Sequence, residues 1–216
     1  MSADSADTAS AVEGRPSANA AWAKVEIPVP AQQLLAFVSN LERLFRLNPH
    51  LEIEAWHQQS DQADAPVYQL NAVNQTNACR VEVSIRAVPV GGVASGFDLV
   101  YDRGLKRLTE LRVETLGDGS LLTITEHYHP VADESDQRLN EVDRSLVHWL
   151  AAIRSHLRGS ARFGGLPGYR WWTERVMLGM APRQRRIVRM IVWVSVLEFV
   201  VFVLVALIFW AESGAS

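Results

Sequence analysis

The sequence predicts an α+β chain: an antiparallel sheet wrapped on one long helix, then an interfacial segment and a single membrane-crossing helix. Three patterns predict it. Residues 51–129 alternate apolar and polar side chains in short runs parted by turn residues. Period-two alternation marks strands with one buried face, and tight turns between successive strands mean antiparallel pairing. Between Asp136 and Arg158 the apolar residues Leu139, Val142, Leu146, Trp149, Leu150, Ile153 and Leu157 recur at helical steps, giving one continuous stripe. From Met190 to Trp210 the chain reads MIVWVSVLEFVVFVLVALIFW, with Glu198 as its one ionisable side chain. About 20 residues rising about 1.5 Å each cross the roughly 30 Å hydrocarbon core of a bilayer.

In order, residues 1–21 are mostly Ala, Ser, Asp and Gly, too poor in apolar side chains to fold, and are expected to be disordered. Residues 22–158 form the domain. Trp22 to Ile27 alternates as a strand, and Pro28 and Pro30 stop it. Leu34, Leu35, Val38, Leu41 and Phe45 then step as one or two short amphipathic helices, which Asn48-Pro49 ends. Strands are expected at Leu51–Trp56, Val67–Val73, Val81–Ala87, Phe97–Tyr101, Leu108–Leu116 and Leu121–Tyr128. The intervening turns are Asp61 to Pro66, Gly91-Gly92, Asp102 to Gly104 and Gly117 to Ser120. Gly91, Gly92 and Gly96 read as a mobile connection, a cavity gate or a plain turn. The long helix has Ser135 or Asp136 as its N-cap and Gly159 as its stop.

Residues 159–189 are a juxtamembrane segment, 190–210 the span, and 211–216 a short tail. Phe163 to Gly168 reads as a flexible elbow. After it Trp171 and Trp172, among Tyr169, Arg170 and Arg175, suit a short helix lying at the headgroup level; docking of both indoles on the domain is the other reading. Pro182 breaks the chain before Arg183, Arg185, Arg186 and Arg189. Basic residues beside a span stay on the cytoplasmic side, so a single-pass, tail-anchored protein with a cytoplasmic domain is expected, in a bacterial inner membrane.

The formal net charge of −3 conceals a division. Residues 1–158 hold 14 Lys or Arg against 21 Asp or Glu, while residues 159–189 hold seven Arg and one Glu. An acidic domain argues against nucleic acid, and the basic segment suits anionic headgroups. Cys79 is the sole cysteine, so no internal disulfide forms, as suits a reducing compartment. It reads as a strand residue and not as a nucleophile.

The order strand, short helices, six antiparallel strands and long helix resembles the START-like superfamily, whose helix-grip fold is shared by polyketide cyclase, Bet v 1 and coenzyme Q-binding relatives. The stretch VEIPVPAQQLLAFVSNLERLFRLNP is similar to the opening of these families, strand, I-x-A-P, helix, D-x-E-x-x-x-x-x-x-P. Ile27-Pro28 through Pro49 matches that spacing, with Asn40 in place of the acidic residue and an added Pro30. The likeness spans residues 22–158. It implies a sheet curled round the helix and a mostly apolar cavity for a lipid, quinone, sterol or polyketide-like ligand. Alternation separately assigns inward side chains: Val81, Val83, Ile85, Leu99, Tyr101, Leu111, Val113, Ile124 and Tyr128, with Trp149 and Ile153 from the helix. These line a cavity or fill a solid core.

Glu126, His127, Tyr128 and His129 are the densest titratable set. His127 and His129 share a strand face, but no third ligand lies nearby, so no metal site is expected. Glu126 shares the inward face with Ile124 and Tyr128; it is a ligand-orienting or acid–base carboxylate, or a solvated strand-end residue. No nucleophile motif or phosphate-binding loop occurs, and no cofactor is expected beyond a bound lipid or quinone. Glu198 in the span costs about 2.5–3.5 kcal/mol on insertion scales, so it meets a membrane-protein partner or is simply protonated in lipid. The reading favoured is a membrane-tethered binding protein that holds or transfers a hydrophobic small molecule at the cytoplasmic face. An accessory subunit docking through its span is the alternative, and an enzyme of the cyclase or hydrolase kind the third.

Overall fold

Seven strands form one antiparallel sheet in the computed structural model, which describes residues 19–60, 65–130 and 146–213. They are β1 (Ala20–Ile27), β2 (Leu51–Ser60), β3 (Val67–Asn74), β4 (Cys79–Val90), β5 (Ser95–Tyr101), β6 (Lys106–Leu116) and β7 (Gly119–Tyr128). Their order is β1-β7-β6-β5-β4-β3-β2. From β2 onward each strand pairs with its predecessor, and β1 closes onto β7 in the register Trp22↔Thr125. The alternation read from the sequence finds each of these strands, a few residues short at their ends. Ala20 and Ala21, expected in a disordered start, belong to β1; residues 1–18 lie outside the described residues.

Two helices, α1 (Ala31–Val38) and α2 (Leu41–Arg46), carry the chain from one sheet edge to the other. They are separate because Asn40 leaves the helical conformation to cap α2, its Oδ1 accepting from the Arg43 amide at 3.0 Å. Asn serves as well as an acidic residue here. Leu34, Val38, Leu41 and Leu44 from these helices are buried with Ile27, Leu111, Leu122 and Ile124 of the sheet. Each such side chain contributes about 1.5–3 kcal/mol on leaving water.

The long helix, α3, is described over Leu146–Phe163. Its buried stripe is Leu146, Trp149, Leu150, Ile153 and Leu157, the periodicity expected. The caps assigned to Ser135 or Asp136, and Leu139 and Val142, lie outside the described residues. Gly159 does not stop the helix, which runs on to Phe163. Gly159 leaves a notch instead: a Cβ there would come within 2.7 Å of the Tyr169 hydroxyl. After a turn at Gly168, whose φ is 82°, the chain forms α4 (Tyr169–Trp171) and a π-helical stretch, Trp172–Met177. Then α5 (Pro182–Ser213) begins; Pro182 opens a helix and does not merely interrupt one. Its span-length apolar portion is wholly unburied, and α5 is long and apolar enough to cross a membrane.

Of the three glycines read as one connection, Gly91 and Gly92 form the β4–β5 turn, whereas Gly96 sits inside β5. A Cβ on Gly96 would fall far inside van der Waals contact distance of the Leu111 carbonyl oxygen on β6. Gly96→Ala is therefore expected to lower stability by about 1–3 kcal/mol or more. Gly91→Ala, with open space around it, is expected to stay within about 0.5 kcal/mol. Denaturant titration of the detergent-solubilised chain reads both.

Candidate ligand-binding cavity

The described part of α3 does not cover the concave face evenly. α3 packs beside β1, and its Trp149 reaches to α2, where the indole N–H donates to the Leu44 carbonyl at 2.9 Å. The indole also stacks tilted on Phe45, 5.3 Å between ring centres. Beyond this pair, on the side toward β3 and β4, the described residues enclose a cavity of about 620 Å³. That is the size of pocket which takes a lipid- or drug-sized molecule. Phe45, Leu51, Leu70, Val83, Leu105 and Trp149, all buried, form its apolar wall. Arg80, Glu82 and Arg103 stand at the solvent side, with Lys106 half-buried among them.

The β3–β4 turn shapes the rim. Ala78 takes a left-handed backbone, φ 57°, unusual for a residue with a Cβ. The Asn77 side chain holds it there by accepting from the Cys79 amide at 3.0 Å. Asn74 is buried and accepts from both the amide and the hydroxyl of Thr76. Asn48, also buried, accepts from the His50 amide at 3.0 Å. These amides line the cavity while fixing its loops.

Glu126 is not a solvated strand-end residue; only 1% of it is exposed. It accepts an ion-paired hydrogen bond from Lys106 at one oxygen and one from the Tyr128 hydroxyl at the other, 2.6 Å long. With both oxygens engaged it holds the Lys106 ammonium at the cavity wall, over the ring of Tyr101. Tyr101 and the buried Thr109 share a hydrogen bond of 3.1 Å. The chemistry offered to a ligand is an apolar slot with a half-buried ammonium, two more exposed guanidinium groups and several amides toward its polar side. That suits hydrogen-bond acceptors such as carbonyl, phenolate or carboxylate oxygens.

Of the side chains assigned inward from the sequence, Val83, Tyr101 and Trp149 line this cavity, together with Val81. Ile85, Leu99, Leu111, Val113, Ile124 and Ile153 are buried in the packed core, and Tyr128 stands behind Glu126. Cavity residues that alternation did not single out come from turns and element ends: Asn48, Asn74, Asn77, Leu105 and Lys106. Leu105 carried a signal, the single apolar side chain in Arg103-Gly104-Leu105-Lys106-Arg107, and it is only 2% exposed. His127 faces Glu110 at 3.2 Å, and among the described residues no group of metal-ligating side chains forms.

The segment that precedes α5 is fastened to the domain. Glu174 pairs with Arg43 of α2 at 2.7 Å, and Leu178 is buried. The same guanidinium group donates to His156 Nε2 at 3.1 Å and lies over the Phe37 ring. An arginine only donates, so His156 is neutral and accepts. Burial, and then the Arg43 charge, push its pKa down to about 4 against the opposing pull of Glu174. Trp171 and Trp172 are both exposed; the elbow at Gly164–Gly168 thus leads into a segment docked through Glu174 and Leu178, with both indoles left largely outward.

No protein-family model matches the sequence, and no curated protein matches it. Solved structures do. The Zhui aromatase/cyclase from Streptomyces sp. R1128 superposes with a TM-score of 0.52 at 15% identity, over 68% of this chain and 97% of that one. The di-domain ARO/CYC StfQ of the steffimycin biosynthetic pathway gives 0.50 at 10% identity, over 67% of this chain and 52% of its own. A START superfamily protein from Mycobacterium smegmatis gives 0.46 at 16% identity, over 64% and 97%. At such identities the likeness is one of fold, and the fold is the START-like, polyketide cyclase-like helix grip expected from the sequence.

Two outcomes follow from the charges. Glu126→Gln leaves the Lys106 ammonium without its carboxylate and should lower stability by about 1.5–3 kcal/mol. Removing both partners, Glu126→Leu with Lys106→Met, should recover most of that, as denaturant titration will measure. For His156 the folded value lies below the ordinary 6.5, so the unfolded chain binds a proton that the folded chain refuses. Stability is full above about pH 6.5 and falls as the pH drops toward about 4, by up to about 3 kcal/mol. In His156→Gln that part of the pH slope should vanish.

Proposed function

We propose that this chain is a membrane-tethered carrier: the START-like domain holds one hydrophobic molecule, a membrane lipid or quinone, and the C-terminal helix keeps it at the cytoplasmic bilayer face. The observation that carries this reading is the 620 Å³ cavity, apolar inside and polar at one end, on the same chain as an unburied apolar helix of membrane-crossing length. The two aromatase/cyclases that share the fold support it only as a scaffold with room for a ligand. Orientation follows from Arg183, Arg185, Arg186 and Arg189 beside the span.

Transfer from bilayer to cavity costs little in either direction, because a lipid tail is already out of water in both places. Selection then rests on the polar end. Lys106, held by Glu126, and the amides of Asn48 and Asn74 receive the ligand's oxygens, while Trp149 and Phe45 fit its apolar body. A ligand carrying such oxygens adds hydrogen bonds at this end, and that gain discriminates. In this role the protein performs no bond chemistry. A second reading, an accessory subunit of a membrane complex, draws on Glu198, a carboxylate midway along an unburied apolar helix.

Native mass spectrometry of the full chain in mild detergent, with lipid extraction, tests both. A hydrophobic molecule retained near one per chain is expected, and Val83→Trp, which fills the cavity from β4, should abolish retention with the melting transition preserved. An empty domain accompanied by stoichiometric protein partners, lost in Glu198→Leu, would replace the carrier reading with the subunit one.

A further inference from the structure

A second cavity, of about 500 Å³, lies where the domain meets the start of α5. One wall is the domain: Leu47 and Pro49 from the α2–β2 loop, and His156 and Gly159 from α3. The opposite wall is α5, which contributes Arg185, Arg186, Arg189, Val192 and Trp193. Tyr169 and Trp172 close one side. The charges are all of one kind: three guanidinium groups and no Asp or Glu among the lining residues. Among the described residues none of the three is paired with a carboxylate; Arg185 donates to the Met180 carbonyl and Arg186 to that of Pro49.

This arrangement is electrostatically unfavourable as it stands. Arginines in the first turns of a helix meet the positive end of its dipole, where acidic side chains belong. Here they also meet one another. An anion in the groove would relieve both. The apolar residues say what kind of anion: Val188, Val192 and Trp193 continue the lining along α5 toward the span, where a free ion has nothing to gain. Tyr169, Trp172 and Trp193 are the residue types that settle at headgroup depth.

We propose that this groove holds one anionic phospholipid, wedged between domain and helix. Its phosphate sits between Arg186 and Arg189 in paired charge-assisted hydrogen bonds, and its tails run beside Val192 and Trp193 into the bilayer. The assignment rests on the reading that α5 spans a membrane. It differs from diffuse attraction of a basic segment to an acidic surface, because a walled groove holds a countable lipid. The lipid is distinct from the cargo: Asn48 lines the ligand cavity, while its neighbours Leu47 and Pro49 face the groove.

The test uses the full chain reconstituted in phosphatidylcholine bilayers containing roughly a fifth phosphatidylglycerol, extracted into mild detergent and weighed by native mass spectrometry. One retained phosphatidylglycerol per chain is expected, surviving dilution. Arg186→Gln with Arg189→Gln should weaken retention about 30-fold. Arg170→Gln with Arg183→Gln removes the same charge from residues outside the groove, and should leave retention unchanged. Equal loss in both variants, or no retained lipid on an inserted chain, overturns the groove. Release of the wild-type chain from membranes by alkaline carbonate would instead overturn the span itself, and the proposal with it.

Discussion

The hydrogen bond from the Trp149 indole to the Leu44 carbonyl fixes how α3 lies on the sheet. It anchors the first described turn of α3 on α2, and the rest of the helix is thereby laid along β1. Phe45, Trp56 and Tyr68 extend the contact as successive tilted rings, 5.3–5.5 Å apart, across to β2 and β3. Such pairs add about 0.5–1.5 kcal/mol each beyond the area they bury. With the described part of the helix held to that side, no described helix fills the half of the concave face over β3 and β4. The cavity is the remainder of this geometry, so Trp149 is both a structural joint and a ligand wall.

A second joint performs the same service on the outer side of α2. Arg43 touches Glu174, His156 and the Phe37 ring with one guanidinium group, joining α1, α2, α3 and the segment that precedes α5. The flat fork of arginine makes this possible, since it donates in several directions while stacking on a ring; a lysine could not. Through α2 the two joints are back to back. The ligand cavity and the groove at the foot of α5 share the short loop that leaves this helix.

The strands and both short helices were legible because periodicity is a local property and every strand here has one buried face. The way to the cavity was not. Val81, Val83 and Ile85 share a face of β4, yet the first two line the cavity and the third is in the core. Alternation reports which side a residue faces, not how far along the strand the covering helix reaches. The sequence left Glu126 open between a ligand-orienting or acid–base carboxylate and a solvated one, because its partner lies 20 residues away and arrives only through the β6–β7 register, Lys106↔Tyr128, with a bulge beside it. Gly159 looked like a helix stop because glycine often is one; its reason is the hydroxyl of Tyr169, a contact made in space.

α5 is continuous from Pro182 to Ser213, 32 residues or about 48 Å. No hinge separates the turns that touch the domain from those that are apolar all round. A helix of this kind meets a thin bilayer by tilting. Because Arg186 near the start of α5 also reaches the Pro49 carbonyl of the domain, an inclination of a membrane-spanning α5 would be passed to the sheet. In the proposed role, bilayer thickness would then set the attitude of the cavity mouth.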